Sequence, residues 1–188
     1  MTTRCFGEGD PLYQPYHDDE WGRPVTDERA LYEKLCLEGF QAGLSWITVL
    51  RKREALRQAF LGFYPDLVAD LDVEPLLQDA QLIRSRAKLQ ACVTNARATI
   101  ALRDTGGLVG LLWSTAQLPS PAYSRWTDVP ASTPASAALS KQLKKAGFTF
   151  VGPTTVYSLL QAHGLVNDHL TTCWVRAEVE AERSALDR

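Results

Sequence analysis

The chain has 188 residues, of which 45% are hydrophobic and 22% charged, and five are tryptophans, a composition typical of a globular protein and not of a disordered or fibrous one. Its formal net charge of -2 excludes a polycation that binds nucleic acid by bulk charge alone. No apolar run approaches the roughly 18 residues of a membrane span and MTTRCFGEGD is no signal peptide, so we expect a cytoplasmic protein without a membrane partner.

The first two predicted helices flank residues 40–44, FQAGL. Asp27 is a suitable N-cap for the first helix, which carries Leu31 and Leu35 on one face, and Gly39 can end it. The second helix is predicted to begin after a cap at Ser45. The FQAGL segment is therefore expected to be a loop between two helices.

Three further helices follow. Residues 86–103 have the clearest helical period, with Leu89, Cys92, Val93, Ala96 and Ile100 on one stripe. Thr133, Pro134 and Gly147 mark the start and end of another helix. The last runs from Pro153 to a terminator at Gly164, and places His163 in its final turn, where an imidazole favours the helix dipole and needs no functional role.

The remaining segments favour loops over strands. LPSPAYS and VPASTP are rich in proline and small polar residues, and no run of alternating apolar residues is convincing. No internal repeat is visible. The sequence therefore predicts an all-α fold in a single domain, residues 1–188.

The stretch NDHLTTC places His169 and Cys173 four positions apart, which on a helix is one turn apart on the same face. Cys5 and His17 are the remaining candidate ligands that lie close together, and all four form a Cys2His2 set suited to tetrahedral Zn²⁺. If all four bind, the shell is full and the metal is structural. Spacing alone leaves open that the four are core or surface residues, or that His17 has another task.

Basic residues are grouped in three places although the net charge is slightly negative. They occur in RKR (51–53), in RSRAK (84–88) and in KQLKK (141–145). Each group taken singly is most simply a solvated helix face, because most charge runs are solvated surface. Cys36 and Cys92, outside the candidate metal set, are expected to be buried.

Four blocks, read together and in order, carry a resemblance to a known family. They are DPLYQPYHDDEWG (10–22), CLEGFQAGLSWITVLRKRE (36–54), LIRSRAKLQACVTNARA (82–98) and LSKQLKKAGFTFVGPTTVYSLLQAHGLVNDH (139–169). Along nearly its whole length the chain resembles the bacterial 3-methyladenine DNA glycosylase I family. The resemblance implies the all-α helix-hairpin-helix glycosylase fold, with one structural zinc ion tying the termini together.

By motif, the family's zinc ligands fall on Cys5, His17, His169 and Cys173, with segments 1–20 and 165–175 forming the zinc-binding part. The resemblance also implies that Glu38 is the carboxylate facing the base pocket. Tyr16 and Trp46 match the family's aromatic residues that enclose the flipped base. Tyr13 and Trp21 are expected to line the same pocket. Without the resemblance, each of these would be read as a core aromatic residue or a surface carboxylate.

The same resemblance supplies candidates for DNA contact. Gln41, Gly43 and Leu44 would approach the gap left by a flipped base, while Arg84, Arg86 and Lys88, at a hairpin between helices, would neutralise phosphates. This chain departs from the family pattern at Gln81, at Ser85 and at Phe6. The tail WVRAEVEAERSALDR also differs and is expected to be a solvated extension of the last helix.

The expected function is base-excision repair. A monomer would bind double-stranded DNA containing alkylated adenine, flip the base, and hydrolyse the N-glycosidic bond of 3-methyladenine to leave an abasic site. No motif-matched lysine nucleophile is present, so the enzyme is expected to be monofunctional. The rival hypotheses are a zinc-stabilised DNA-binding module without catalysis and a zinc-bound structural protein.

Overall fold

The computed structural model describes residues 3–116 and 120–186, and within these ranges the regular structure is helical, with no β-strand. The all-α prediction is confirmed there, while Leu118 and Pro119 of the LPSPAYS loop lie outside the described residues. The α-helices in chain order are α1 (Tyr13–Pro15), α2 (Glu28–Gln41), α3 (Trp46–Ala59), α4 (Pro65–Val68), α5 (Arg86–Leu102), α6 (Gly107–Trp113), α7 (Pro134–Lys145), α8 (Pro153–Ala162) and α9 (Arg176–Leu186). Shorter helical turns lie at Tyr16–Glu20, Leu61–Phe63, Pro75–Gln78, Arg103–Thr105 and Trp126–Asp128.

The start of α2 is confirmed, but its predicted end is wrong. The Asp27 carboxylate accepts a hydrogen bond from the Ala30 N–H at 2.8 Å, as an N-cap should. Gly39 does not end the helix, which continues to Gln41. A Cβ at Gly39 would lie 3.3 Å from Cβ of Phe150, so this glycine permits close packing and terminates nothing. The predicted 40–44 loop therefore begins only after Gln41.

Helix α2 is the central helix of the fold. It packs against α3, α5, α6 and α8, and every residue from Leu31 to Phe40 is buried. Three of these buried residues are charged, namely Glu33, Lys34 and Glu38. Because an isolated buried charge is costly, each of them needs a partner, and the partners of Lys34 and Glu38 define the candidate site described below.

The other predicted helix starts are confirmed in position. Helix α7 is capped by Thr133, whose hydroxyl accepts from the Ser136 N–H while the Ser136 hydroxyl accepts from the Thr133 N–H. Ser45 precedes α3 but does not cap its backbone, and its hydroxyl instead hydrogen-bonds with that of Thr48 at 2.8 Å. The predicted position of this helix start is therefore confirmed, whereas the prediction that Ser45 caps the helix is wrong.

NDHLTTC is an irregular segment between α8 and α9, so His169 and Cys173 do not lie one turn apart on a helix. The Asn167 side-chain oxygen accepts from the His169 N–H at 3.3 Å, a local bond that competes with helix formation. The tail is also not a solvated extension of α8. It forms the separate helix α9, whose fully buried Arg183 donates to the carbonyl oxygens of Gly164 and Leu165.

None of the helices in the described ranges is long and apolar enough to cross a bilayer.

Candidate active site

A cavity of about 210 Å³ opens between the N-terminal segment and helices α2, α3 and α8. Its walls bring together six residues predicted from the sequence, which are Tyr13, Tyr16, Trp21, Glu38, Gln41 and Trp46. Tyr16 enters from a π-helical turn, Tyr16–Glu20, in which the Trp21 N–H bonds to the Tyr16 carbonyl at 2.8 Å. Such wide turns are frequent at functional sites.

The cavity is predominantly aromatic. The rings of Tyr16 and Trp46 lie 5.3 Å apart between centroids and are tilted by 40°. Phe6 contacts Tyr13 at 5.0 Å and Trp21 at 5.1 Å, so one additional ring connects both predicted lining residues. Facing π surfaces in a buried wall suit a flat, electron-poor ring, above all a cationic one.

Glu38 supplies the carboxylate of this cavity and is 4% exposed. Its Oε1 lies 3.2 Å from Nζ of Lys34, whereas its Oε2 has no hydrogen-bond partner among the described residues. Burial raises the pKa of Glu38, and the neighbouring Lys34 ammonium opposes that rise. The unpaired Oε2 is thus a buried acceptor that a bound amino group can satisfy.

Lys34 is the principal residue that sequence reasoning missed. Its Nζ donates to the Tyr16 hydroxyl at 2.5 Å and lies 3.4 Å from the centroid of the Trp46 ring. Burial lowers the pKa of Lys34 to about 8. The only available signal was its position one turn before Glu38 on the same helix, which is common and carries little information alone.

Lys34 also borders a second cavity, of about 260 Å³, on the side of Tyr16 occupied by His163. His163 follows the end of α8 and is 8% exposed, and its Nε2 has no partner among the described residues. Burial, assisted by the Lys34 charge, lowers the pKa of His163 to about 3. The ring is therefore neutral near pH 7, and a cationic interaction with the helix dipole is wrong for this residue.

Four other lining residues were not predicted as such, namely Phe6, Trp126, Ser158 and Gln161. Trp126 comes from a proline-rich region that was predicted only to be a loop. A single aromatic residue in a loop does not indicate whether its side chain lines a cavity. Gln161 donates from Nε2 to Asp168 at 2.9 Å, and the Tyr157 hydroxyl donates to the same carboxylate at 2.6 Å. These contacts hold α8 to the segment that follows it, and neither of them indicated from the sequence that Gln161 lines the cavity.

A groove of about 200 Å³ leads from Glu38 past Gln41 to Gly43 and Leu44. Leu44 is 39% exposed and Gly43 has a φ of +76°, a left-handed conformation that favours glycine. The three residues predicted to approach DNA therefore lie along one surface that continues into the cavity.

The basic residues predicted to meet phosphates have different surroundings. Arg84 is exposed before α5, and Arg86, in its first turn, forms an ion pair with Glu74. Lys88 also lies in the first turn of α5, and it donates to the carbonyl oxygens of Phe40 at 2.9 Å and Ala42 at 2.5 Å. The Lys88 ammonium thus satisfies the C-terminal end of α2, which reduces its availability to a phosphate.

The four predicted metal ligands, Cys5, His17, His169 and Cys173, form one cluster whose ligand atoms all lie within 4.8 Å of one another. Sγ of Cys173 is 3.5 Å from Nε2 of His17 and 3.4 Å from Nδ1 of His169, and Sγ of Cys5 is 3.6 Å from the same Nδ1. Zinc bond lengths at a tetrahedral angle place sulfur and nitrogen ligands about 3.6 Å apart. The cluster can therefore hold a metal ion, and its geometry fits zinc.

The second nitrogen of each histidine in the cluster is also hydrogen-bonded. Nδ1 of His17 lies 2.8 Å from the Asp18 carboxylate, and Nε2 of His169 lies 2.9 Å from the Trp21 carbonyl oxygen. A proton on each of these nitrogens leaves Nε2 of His17 and Nδ1 of His169 as metal-binding lone pairs, directed at the two cysteines. These contacts orient the rings for the same ion.

The chain is similar to known proteins over almost its whole length. Residues 6–177 match the family described as methyladenine glycosylase. The chain is 52% identical over 170 residues to DNA-3-methyladenine glycosylase 1 of Escherichia coli K12, covering 87% of this chain and 91% of that protein. It is 49% identical over 181 residues to DNA-3-methyladenine glycosylase of Haemophilus influenzae, covering 92% and 97%.

The fold agrees with a solved structure as well. A variant of 3-methyladenine DNA glycosylase I, in complex with 3-methyladenine, superposes with a TM-score of 0.88 at 36% identity. The match covers 94% of this chain and 98% of that chain.

Proposed function

Because the chain belongs to the methyladenine glycosylase family, a family of N-glycosyl hydrolases in DNA repair, we propose that it excises 3-methyladenine from alkylated duplex DNA. The reaction flips the damaged base from the helix and hydrolyses its N-glycosidic bond, leaving an abasic site. The observation that carries this proposal is the aromatic cavity in which the buried Glu38 keeps one oxygen unpaired.

In this mechanism, Tyr16 and Trp46 bind the flipped base through its faces, and Oε2 of Glu38 accepts a hydrogen bond from its amino group. 3-Methyladenine is cationic within DNA, so π surfaces and a carboxylate favour it over neutral adenine. A cationic base is already a good leaving group, and the enzyme's main contribution is to hold base, sugar and water in position. Tyr13 and Trp21 complete the enclosure.

A hydrolytic, monofunctional enzyme is part of this proposal. A lyase step needs an amine that reaches the sugar. Among the described residues that line the cavity there is no lysine, and Lys34 lies behind Tyr16 and Trp46 in an ion pair with Glu38. Strand cleavage after base release is therefore not expected.

We also propose that residues 1–188 form a single helix-hairpin-helix domain that acts as a monomer. Gln41, Gly43 and Leu44 would fill the space the base leaves, with Arg84 and Arg86 on the phosphates. Cys5, His17, His169 and Cys173 would hold one Zn²⁺, which supplies folding stability and no chemistry because four protein ligands complete its shell.

The test is release of free 3-methyladenine from methylated duplex DNA, measured by chromatography under single-turnover conditions. Glu38→Gln should slow release about 10- to 150-fold, the equivalent of one charge-assisted hydrogen bond of about 1.5–3 kcal/mol. Glu33→Gln, another buried carboxylate of α2 that faces the second cavity, is the matched control. Binding of methylated DNA without any base release would instead support the rival DNA-binding module.

A further inference from the structure

Three parts of the base cavity converge on one side chain that does not line it. Nζ of Lys34 lies 2.5 Å from the Tyr16 hydroxyl, 3.2 Å from Oε1 of Glu38 and 3.4 Å from the centroid of the Trp46 ring. Tyr16, Glu38 and Trp46 all line the cavity, whereas Lys34 borders the second cavity on the other side. Lys34 therefore contacts the candidate base-binding residues from outside.

The Lys34 ammonium has a nearby partner for each of its N–H donors. An ammonium group has three N–H donors, and here a hydroxyl oxygen, a carboxylate oxygen and a π face surround it. The Tyr16 hydroxyl accepts from Lys34, so its own hydrogen is directed elsewhere. Glu38 has Oε1 engaged, so Oε2 is the oxygen that stays open. Lys34 thus determines which atoms of two cavity residues remain for a ligand.

Lys34 is also the counter-ion of Glu38. Within the described part of the chain, Lys34 is the residue with which Glu38 forms an ion pair. Burial raises the pKa of Glu38, and the charge of Lys34 and its hydrogen bond are the two effects that lower it. A buried carboxyl group deprived of its cation takes up a proton at a higher pH than usual.

We propose that Lys34 is a positioning residue for base recognition, which keeps Glu38 a carboxylate and occupies its Oε1, so that Oε2 accepts the amino group of the flipped base. This inference rests on the proposed glycosylase function. Since the Lys34–Glu38 pair is neutral as a whole, the pocket selects the methylated base through an oriented carboxylate oxygen and π surfaces, without a net negative charge.

The other ionisable groups near the pair are Tyr13, Tyr16, His163, Arg53 and Glu20, and the first three stay neutral in the pH range that tests the proposal, about 5.5 to 7.5. Burial raises the pKa of Tyr13 and of Tyr16, so both hydroxyls stay protonated. The imidazole of His163 is neutral because its pKa is about 3. Arg53 and Glu20 pair with each other, and Nη2 of Arg53 lies 2.9 Å from Oε1 of Glu20.

The first experiment measures the pH dependence of single-turnover 3-methyladenine release, with spontaneous depurination subtracted. The wild-type rate should be level across this range. In Lys34→Met, Glu38 loses its counter-ion, and the rate should fall as the pH decreases, by about tenfold per pH unit below the raised pKa of Glu38. Lys34→Arg, which retains the charge, should restore the level profile.

The second experiment compares Glu38→Gln with the double variant Lys34→Met/Glu38→Gln. An amide at position 38 cannot titrate, so the added Lys34→Met should change the rate less than about threefold. The double variant removes both buried charges together, a change that folded proteins often tolerate. Thermal melts at each pH confirm folding.

Two results would overturn the role of Lys34: an equal loss in Lys34→Met at every pH, or a further large loss in the Glu38→Gln background. Either shows that Lys34 acts other than through Glu38. If Lys34→Met melts below the assay temperature, the comparison of Glu38→Gln with the double variant decides alone. Failure of the proposed function is distinct, because the wild type itself would then release no 3-methyladenine.

Discussion

The Trp21 carbonyl oxygen lies 2.9 Å from Nε2 of His169, and the two rings meet edge to face with their centroids 4.6 Å apart. Trp21 lines the proposed base-binding cavity, and His169 belongs to the Cys2His2 cluster that could hold a metal ion. Tyr16 likewise directly precedes His17 of the same cluster. The metal cluster therefore supports one wall of the cavity, and its loss should disturb base binding as well as stability.

We expect the purified protein to contain one equivalent of zinc, measurable by mass spectrometry. Cys173→Ser should remove it and lower the free energy of unfolding by about 5 kcal/mol, by analogy with a crosslink closing a loop of this length. Cys36→Ser, a change of another buried cysteine outside the cluster, is the matched control and should retain the metal. Full zinc content in Cys173→Ser would refute the four-ligand site.

His163 should make the protein sensitive to acid. Its folded pKa is about 3, so between its unfolded pKa near 6.5 and that value the unfolded chain binds a proton that the folded chain does not. Stability is therefore lost as the pH falls through this window, by about 2 kcal/mol from about pH 7.5 to about pH 5. Urea unfolding of His163→Gln at both pH values should show a correspondingly smaller loss. Equal losses in the two proteins would contradict the assignment.

Gly164 should not tolerate a side chain. Its φ is +69°, and a Cβ would lie 2.5 Å from the Gly22 carbonyl oxygen and 2.7 Å from the Pro24 nitrogen. The left-handed backbone alone costs alanine about 1–2 kcal/mol, and the overlap with backbone atoms adds to this. Gly110→Ala, a position in α6 where nothing lies within 4 Å, should instead be neutral or stabilising by up to about 1 kcal/mol. Thermal denaturation of both variants measures the contrast.

Arg84 and Lys88 should have separable roles. Arg84 is exposed, so Arg84→Ala should weaken binding to any duplex, reduce the salt dependence of log K by about one, and leave the melting temperature unchanged. Lys88→Met leaves two carbonyl oxygens at the end of α2 without their donor and should lower stability by about 1 kcal/mol or more. A shift in the salt slope confined to Lys88→Met would reverse this assignment.

Local sequence signals predicted the helices well where the relevant chemistry is itself local. Caps such as Asp27 and Thr133, and the terminator Gly164, act on residues three or four positions away. Gly39 misled because its role depends on Phe150, which is distant in sequence. The conformation of NDHLTTC was not predictable from its spacing either, since two residues four positions apart fit an irregular segment as well as a helix.

The amino-acid sequence by itself determined the all-α class, the family, and the four Cys and His residues that could hold a metal ion, because ligand chemistry and motif order can be read without coordinates. Only the tertiary structure decided that Lys34 pairs with Glu38 behind Tyr16 and Trp46, that Lys88 is engaged with α2, and that His163 is neutral. The physical reason is that burial and partner geometry set the charge state and available atoms of a side chain, and both arise from contacts between segments far apart in the chain.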